Sequence, residues 1–188
     1  MGHSFGRGSI AISPWVRRFA GLIPARGPVL DVAAGGGRHT RFLLGLGYRV
    51  TAIDRDVSAL AGLGDHRVLT IVAADLEDGG PWPLGCQLFA GVVVTNYLHR
   101  PLLPDIVASV APGGCLIYET FAAGNERFGK PSNPDFLLRP GELLDAVRDR
   151  LTVAAYENLE VAEPKPAVVQ RIAAVRSGAI SEGERDHI

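Results

Sequence analysis

Apolar residues recur along this chain in short, dense blocks, each closed by a polar or glycine-rich break. Residues 29–32, 49–53, 69–73, 89–95 and 115–121 are rich in Val, Ile, Leu and Ala, the signature of strands buried on two faces. Between them, residues 38–46, 57–63 and 102–110 carry helical spacing. A short helix over 14–22 sets Trp15, Phe19 and Leu22 on one face. Alternation of this kind predicts an α/β fold, a mostly parallel sheet with helices on both faces. After a further helix over 140–150, with Pro140 in its first turn, come two last strands, 151–159 and 167–176. Only a turn around Glu163-Pro164-Lys165-Pro166 separates them, so they are expected to pair antiparallel.

Three breaks depart from this rhythm. Residues 75–88 hold Gly79, Gly80, Pro81, Pro83 and Gly85, too broken for a helix, and read as an irregular crossover covered by Trp82 and Leu84. Pro112-Gly113-Gly114 reads as a turn into the fifth strand. Residues 122–139 exceed the roughly 12–15 residues of an ordinary connection. They leave the carboxyl end of that strand with Gly124 and Gly129 as hinges and Phe128 and Phe136 as apolar contacts, and are expected to form a substrate-facing lid. The chain therefore divides into a flexible arm (1–12), one domain (13–176) and a frayed polar tail (177–188).

The most informative break follows the first strand. Asp31-Val32-Ala33-Ala34-Gly35-Gly36-Gly37 ends an apolar run in a carboxylate and then turns through glycines into a helix. Such a junction lets backbone N–H groups approach a ligand closely. A pyrophosphate gains nothing from Asp31; an ammonium or sulfonium group does. The second strand also ends in an acid, Asp54, 23 residues after Asp31, near the spacing at which a carboxylate accepts ribose hydroxyls. Asp75 closes the third. In an open parallel sheet these carboxylates share the rim where ligands bind. Each also has a plainer role open to it: a simple turn for the glycines, a helix or turn cap for Asp54 and Asp75.

With these residues in place, the chain resembles the class I S-adenosylmethionine-dependent methyltransferases. The resemblance runs through the Asp31–Gly37 motif, Asp54, Ala74-Asp75-Leu76, Val92 to Tyr97, Val110 to Gly114 and Ile117-Tyr118-Glu119. Gly37-Arg38-His39-Thr40, followed by the Gly47–Asp54 segment, resembles the tellurite-resistance methyltransferase branch, and the segment from Glu119 through Pro131 looks like a bacterial subgroup of it. Ala33 stands where the family's motif has its first glycine. The resemblance implies a seven-stranded Rossmann-like sheet with a C-terminal antiparallel hairpin, and S-adenosylmethionine as cofactor. It implies a cofactor site of Asp31, Ala33, Gly35, Gly37, Asp54, Arg55, Asp75, Leu76 and Asn96. Arg127, Glu119 and Tyr97 are the candidates for work on the acceptor, a small molecule such as a thiol or a tellurium or selenium oxyanion. Arg38 and Arg127 suit an anionic acceptor through the guanidinium fork, with Glu119 orienting Arg127 or a substrate donor. Tyr97 and Asn96 read alternatively as a polar turn, Arg127 as a solvated charge. His39 and His99 read as bases or as local structural hydrogen-bonders.

Composition narrows the alternatives. The 188 residues carry a net charge of −1 and a pI near 6.5, so no basic field draws the protein to nucleic acid or an anionic membrane. No long apolar run suggests a membrane span or a signal peptide. Cys86 and Cys115 have no metal-ligand spacing, and no metal site is expected. Two cysteines that far apart fit a reduced, cytoplasmic setting. Two other readings stay open: a non-catalytic adenosylmethionine-binding scaffold, and a nicotinamide-dependent oxidoreductase, against which the missing G-x-G-x-x-G spacing counts.

Overall fold

The computed structural model describes residues 11–63 and 67–178; the arm before Ala11 and the tail beyond Gly178 lie outside the described residues. Seven strands form one sheet: β1 (Pro28–Val32), β2 (Arg49–Asp54), β3 (Leu69–Ala73), β4 (Phe89–Thr95), β5 (Val110–Phe121), β6 (Thr152–Val161) and β7 (Ala167–Val175), in the order β3-β2-β1-β4-β5-β7-β6. The first five run parallel. β7 is antiparallel to both β5 and β6, as the short connection before it requires. The order reverses beside β1, where β2 leaves on one side and β4 on the other, so the carboxyl ends of β1, β2 and β4 splay around a crevice.

Alternate residues of the central strands enter two apolar clusters. Leu30, Val32, Val92, Val94, Leu116 and Tyr118 pack with Ile106 and Val107 of α3 (Leu103–Ala108) and with Leu143 and Val147 of α4 (Glu142–Val147). Val29, Val50, Ala52, Val93, Cys115 and Ile117 pack with Trp15 and Val16 of α1 (Pro14–Phe19) and Leu43 of α2 (Arg38–Gly45). Fully burying one such aliphatic side chain contributes about 1.5–3 kcal/mol, and this two-sided burial is why the strands read as nearly continuous apolar runs.

The structure corrects several expected elements. Residues 57–63 form successive turns, not a helix; the Leu60 and Leu63 N–H groups reach only to Val57 and Leu60. So short a segment, with Gly62 inside it, does not sustain helical nucleation; Leu60 is fully buried, with Val57 and Leu63 packed against the same cluster. The helix expected to reach 110 ends at Ala108, and Val110 already pairs with Phe89. Pro112-Gly113-Gly114 is an irregularity inside β5 and not a turn before it. A Cβ on Gly114 would lie 2.8–2.9 Å from the carbonyl oxygens of Ala90, Ala111 and Phe89, so only glycine lets the strands close there. Pro140 lies before α4 and not in its first turn.

Candidate functional site

The turn from β1 into α2 takes Ala33, Gly35 and Gly37 through positive φ angles of 51°, 53° and 72°. The two glycines do different work. A Cβ at Gly35 would meet nothing nearer than the Ala33 carbonyl at 4.0 Å, so its outer face is open. A Cβ at Gly37 would stand 2.6 Å from Leu60 and 3.0 Å from Leu63. The space beside Gly37 is therefore filled by the chain itself, which corrects the expectation that it admits a ligand. Ala33 holds a left-handed angle that costs a non-glycine residue about 1–3 kcal/mol, kept in place by its neighbours.

The rim carboxylates differ as sharply. Asp54, at the end of β2, reaches across to the glycine turn: its Oδ2 accepts the Gly35 N–H at 2.8 Å and its Oδ1 the Asp56 N–H at 2.9 Å. Asp31 is 1% exposed and sits beneath the turn, accepting the Thr40 hydroxyl of α2 at 2.6 Å. Burial raises its carboxyl to about 6. Asp75 Oδ1 accepts the Glu77 N–H at 3.0 Å, and the Arg55 guanidinium stands 3.6 Å from Oδ2. Leu76 is buried beside it. Asn96 leaves β4 at φ 54° and donates its N–H to the Glu119 carbonyl at 2.9 Å.

Tyr97 follows. The buried Tyr118 hydroxyl holds its carbonyl at 2.8 Å. Its own hydroxyl is buried and meets no partner. Among the described residues, the Trp82 indole Nε1 is in the same condition. Both rings pack against the same apolar cluster. Burial, then the charges of Glu77, Asp75 and Asp54, drive the Tyr97 pKa upward, so it acts as a neutral phenol. Buried polar groups are nearly always satisfied, and among the described residues these two are the side-chain atoms left without a partner.

Other candidates are drawn elsewhere. Glu119 does not orient Arg127: its Oε1 accepts the Ser13 hydroxyl at 2.7 Å and its Oε2 the Arg171 guanidinium of β7 at 3.1 Å. Arg127 turns outward to Glu160 of β6 at 3.2 Å and to its own Gly124 carbonyl at 3.0 Å, two strands beyond β5 and away from Asp54 and Asp75. The 122–139 segment is stapled rather than free. Ala122 bridges Leu138 at its base. The buried Asn125 amide grips the Pro131 carbonyl at 2.9 Å and the Val168 N–H of β7 at 3.1 Å. Arg38 is half-buried and donates to the Ala11 carbonyl at 3.4 Å. A pocket at the opposite, amino-terminal end of β1–β3, lined by Pro28, Arg49, Arg67 and Gln87, contains none of the expected site residues.

Ser13 was not singled out in the sequence, although serine before proline at a helix start is a capping signature. Its hydroxyl accepts the N–H groups of Trp15 and Val16, and its N–H donates to His39 Nε2 at 3.2 Å. That bond assigns the proton to Nδ1, which faces the Thr95 hydroxyl at 3.1 Å. His39 is thus a buried post between α1 and β4, its pKa lowered to about 4 first by burial and then by Arg38. In the unfolded chain it titrates near 6.5. Its contribution to stability is therefore full above 6.5 and is lost as pH falls toward 4. Asp31, raised to about 6 from 3.8, works in the opposite direction, its contribution lost as pH rises through about 6. His39→Asn removes only the first term. Urea unfolding is expected to show wild type gaining stability over the variant as pH climbs from 4 to 6.5; parallel pH profiles would show that His39 does not carry it.

No family model matches the chain, and no curated protein does. Solved structures do. TehB from Haemophilus influenzae aligns with a TM-score of 0.65 at 20% identity over 84% of this chain and 60% of that one, so this chain spans about three-fifths of its length. The 1,6-didemethyltoxoflavin-N1-methyltransferase of Burkholderia thailandensis, solved with its acceptor and S-adenosylhomocysteine, aligns at 0.65 with 21% identity over 88% of this chain and 77% of that one. The glycopeptide N-methyltransferase MtfA with S-adenosylhomocysteine aligns at 0.58 with 23% identity over 86% and 88%. What they share with this chain is the fold.

Proposed function

We propose that this chain, which carries the fold of the S-adenosylmethionine-dependent methyltransferases, is itself such an enzyme and acts on a small-molecule acceptor. The observation that carries the reading is the pairing of Asp54 with the Gly35 N–H across an open crevice. A ribose-spaced carboxylate thereby lies against a turn whose glycines Gly35 and Gly36 both have open outer faces, while Gly37 faces the chain. The residues present fit the cofactor. Gly35 and Ala33 would border its amino-acid end, with the buried charge of Asp31 behind the turn and Gly37 shaping the turn from within. Asp54 would take the ribose hydroxyls; Asp75, Leu76 and Arg55 would line the adenine, and Asn96 the methyl-donor side.

The cofactor supplies an activated methyl group on sulfonium. The chain's task is then alignment, and proximity with orientation can supply roughly 7–11 kcal/mol of a barrier. Tyr97, unpartnered and neutral, would hold the acceptor. Glu119 would act through Ser13, fixing the segment that enters α1. Arg127 would reach an acceptor only by leaving Glu160. Of the acceptors the sequence resemblance suggests, a tellurium or selenium oxyanion would call on Arg38 or Arg127, which reach the Ala11 carbonyl and Glu160, and a thiol makes no such demand. Among the described residues no helix is long and apolar enough to cross a membrane.

Calorimetric titration with S-adenosylhomocysteine, with NAD as control, tests the reading: the first binds at one site per chain and the second does not. Binding of NAD instead would favour the oxidoreductase alternative. Binding without turnover of any acceptor would favour the scaffold.

A further inference from the structure

The rim around Tyr97 is acidic in a way that bears on what the enzyme methylates. Asp54 is the last residue of β2, Asp75 lies two residues beyond β3, and Glu77 two further on. All three act electrostatically on the Tyr97 hydroxyl. Arg55 offsets one of them, Asp75; the other arginines named for or near the rim are directed at protein oxygens elsewhere: Arg38 at the Ala11 carbonyl, Arg41 at the Gly36 carbonyl, Arg100 at Glu142 and the Asp135 and Leu137 carbonyls, Arg127 at Glu160. Lys130 lies on the exposed part of the insertion. An anion entering this crevice meets like charge, whereas a group that bears or develops positive charge is favoured.

We propose that the acceptor is an amine, bound with its N–H on the buried, unpartnered Tyr97 hydroxyl and its lone pair free to attack, and is neither a thiolate nor an oxyanion. The proposal rests on the methyltransferase reading and names the acceptor class of that same site. The nitrogen lone pair forms the new N–C bond as the C–S bond of the cofactor breaks and its electron pair stays on sulfur. Sulfur becomes neutral, nitrogen takes the positive charge, and the resulting ammonium sheds its proton to solvent. Asp54, Asp75 and Glu77 stabilise the charge as it arrives on nitrogen, without reorganising.

The test uses probes matched in shape, benzylamine and benzyl mercaptan, with tellurite and selenite, and methyl transfer from labelled S-adenosylmethionine as readout. Benzylamine is expected to give a kcat/KM at least about tenfold above each of the other three. Tyr97→Phe, which removes one neutral hydrogen bond, is expected to raise the KM for benzylamine roughly 3- to 10-fold, with S-adenosylhomocysteine affinity unchanged. Preference for the thiol or an oxyanion overturns the proposal. So does absence of benzylamine turnover in protein that binds S-adenosylhomocysteine, or an unchanged KM in the variant. Failure to bind S-adenosylhomocysteine at all would overturn the methyltransferase reading instead.

Discussion

Replacing Asp54 by alanine is expected to weaken S-adenosylhomocysteine binding by roughly 10- to 150-fold, because a hydrogen bond to a charged group is worth about 1.5–3 kcal/mol. The carboxylate ends β2 at the rim, half-exposed, with one oxygen on the Gly35 N–H and the other on the Asp56 N–H. It therefore acts on the ligand and on the turn that faces the ligand. It contributes nothing to either apolar cluster, so the variant should fold and melt close to wild type. Asp54→Asn keeps the shape and one acceptor and should fall between the two. Calorimetry with circular dichroism on the same samples decides the matter. A folded Asp54→Ala chain that binds as well as wild type would remove the ribose from this position.

Gly37→Val is expected to act on the fold rather than on the ligand. The new side chain meets Leu60 and Leu63 within 2.6–3.0 Å, and overpacking of this kind costs about 1–3 kcal/mol. A β-branched residue at φ 72° adds about 1–3 kcal/mol of backbone strain. For a chain of this length the melting temperature should fall by something on the order of 10 °C. Gly35→Val is the companion: it carries the backbone strain but meets open space, so it should melt higher than Gly37→Val and lose S-adenosylhomocysteine binding outright. Equal melting of the two variants, or retained binding in Gly35→Val, would contradict the division of labour between these glycines.

That division shows where sequence reasoning succeeds and where it stops. The strands were legible because two-sided burial leaves dense apolar runs with no polar face, and the connection before β7 was too short for anything but an antiparallel return. The spacing of Val57, Leu60 and Leu63 misled because it serves a helix or a pair of turns equally well; Leu60 seats on Gly37, a contact that spacing within one segment does not encode. The rim residues Asp54, Asp75 and Asn96 were legible from their places after strands. Their rivals for partners were not. Glu119 is taken by Ser13, 106 residues away, and Arg127 by Glu160, 33 residues away. Such choices among charged groups are made by tertiary proximity alone. The unpartnered hydroxyl of Tyr97 is likewise visible only once everything around it has been paired.

On the methyltransferase reading proposed above, the adenosyl cofactor binds between the glycine turn and Asp54. Titration of the wild-type chain with S-adenosylhomocysteine, with and without saturating NAD, tests it most directly. One site per chain is expected, with an affinity that NAD leaves unchanged and Asp54→Ala lowers. Absence of binding, or displacement of S-adenosylhomocysteine by NAD, would contradict it.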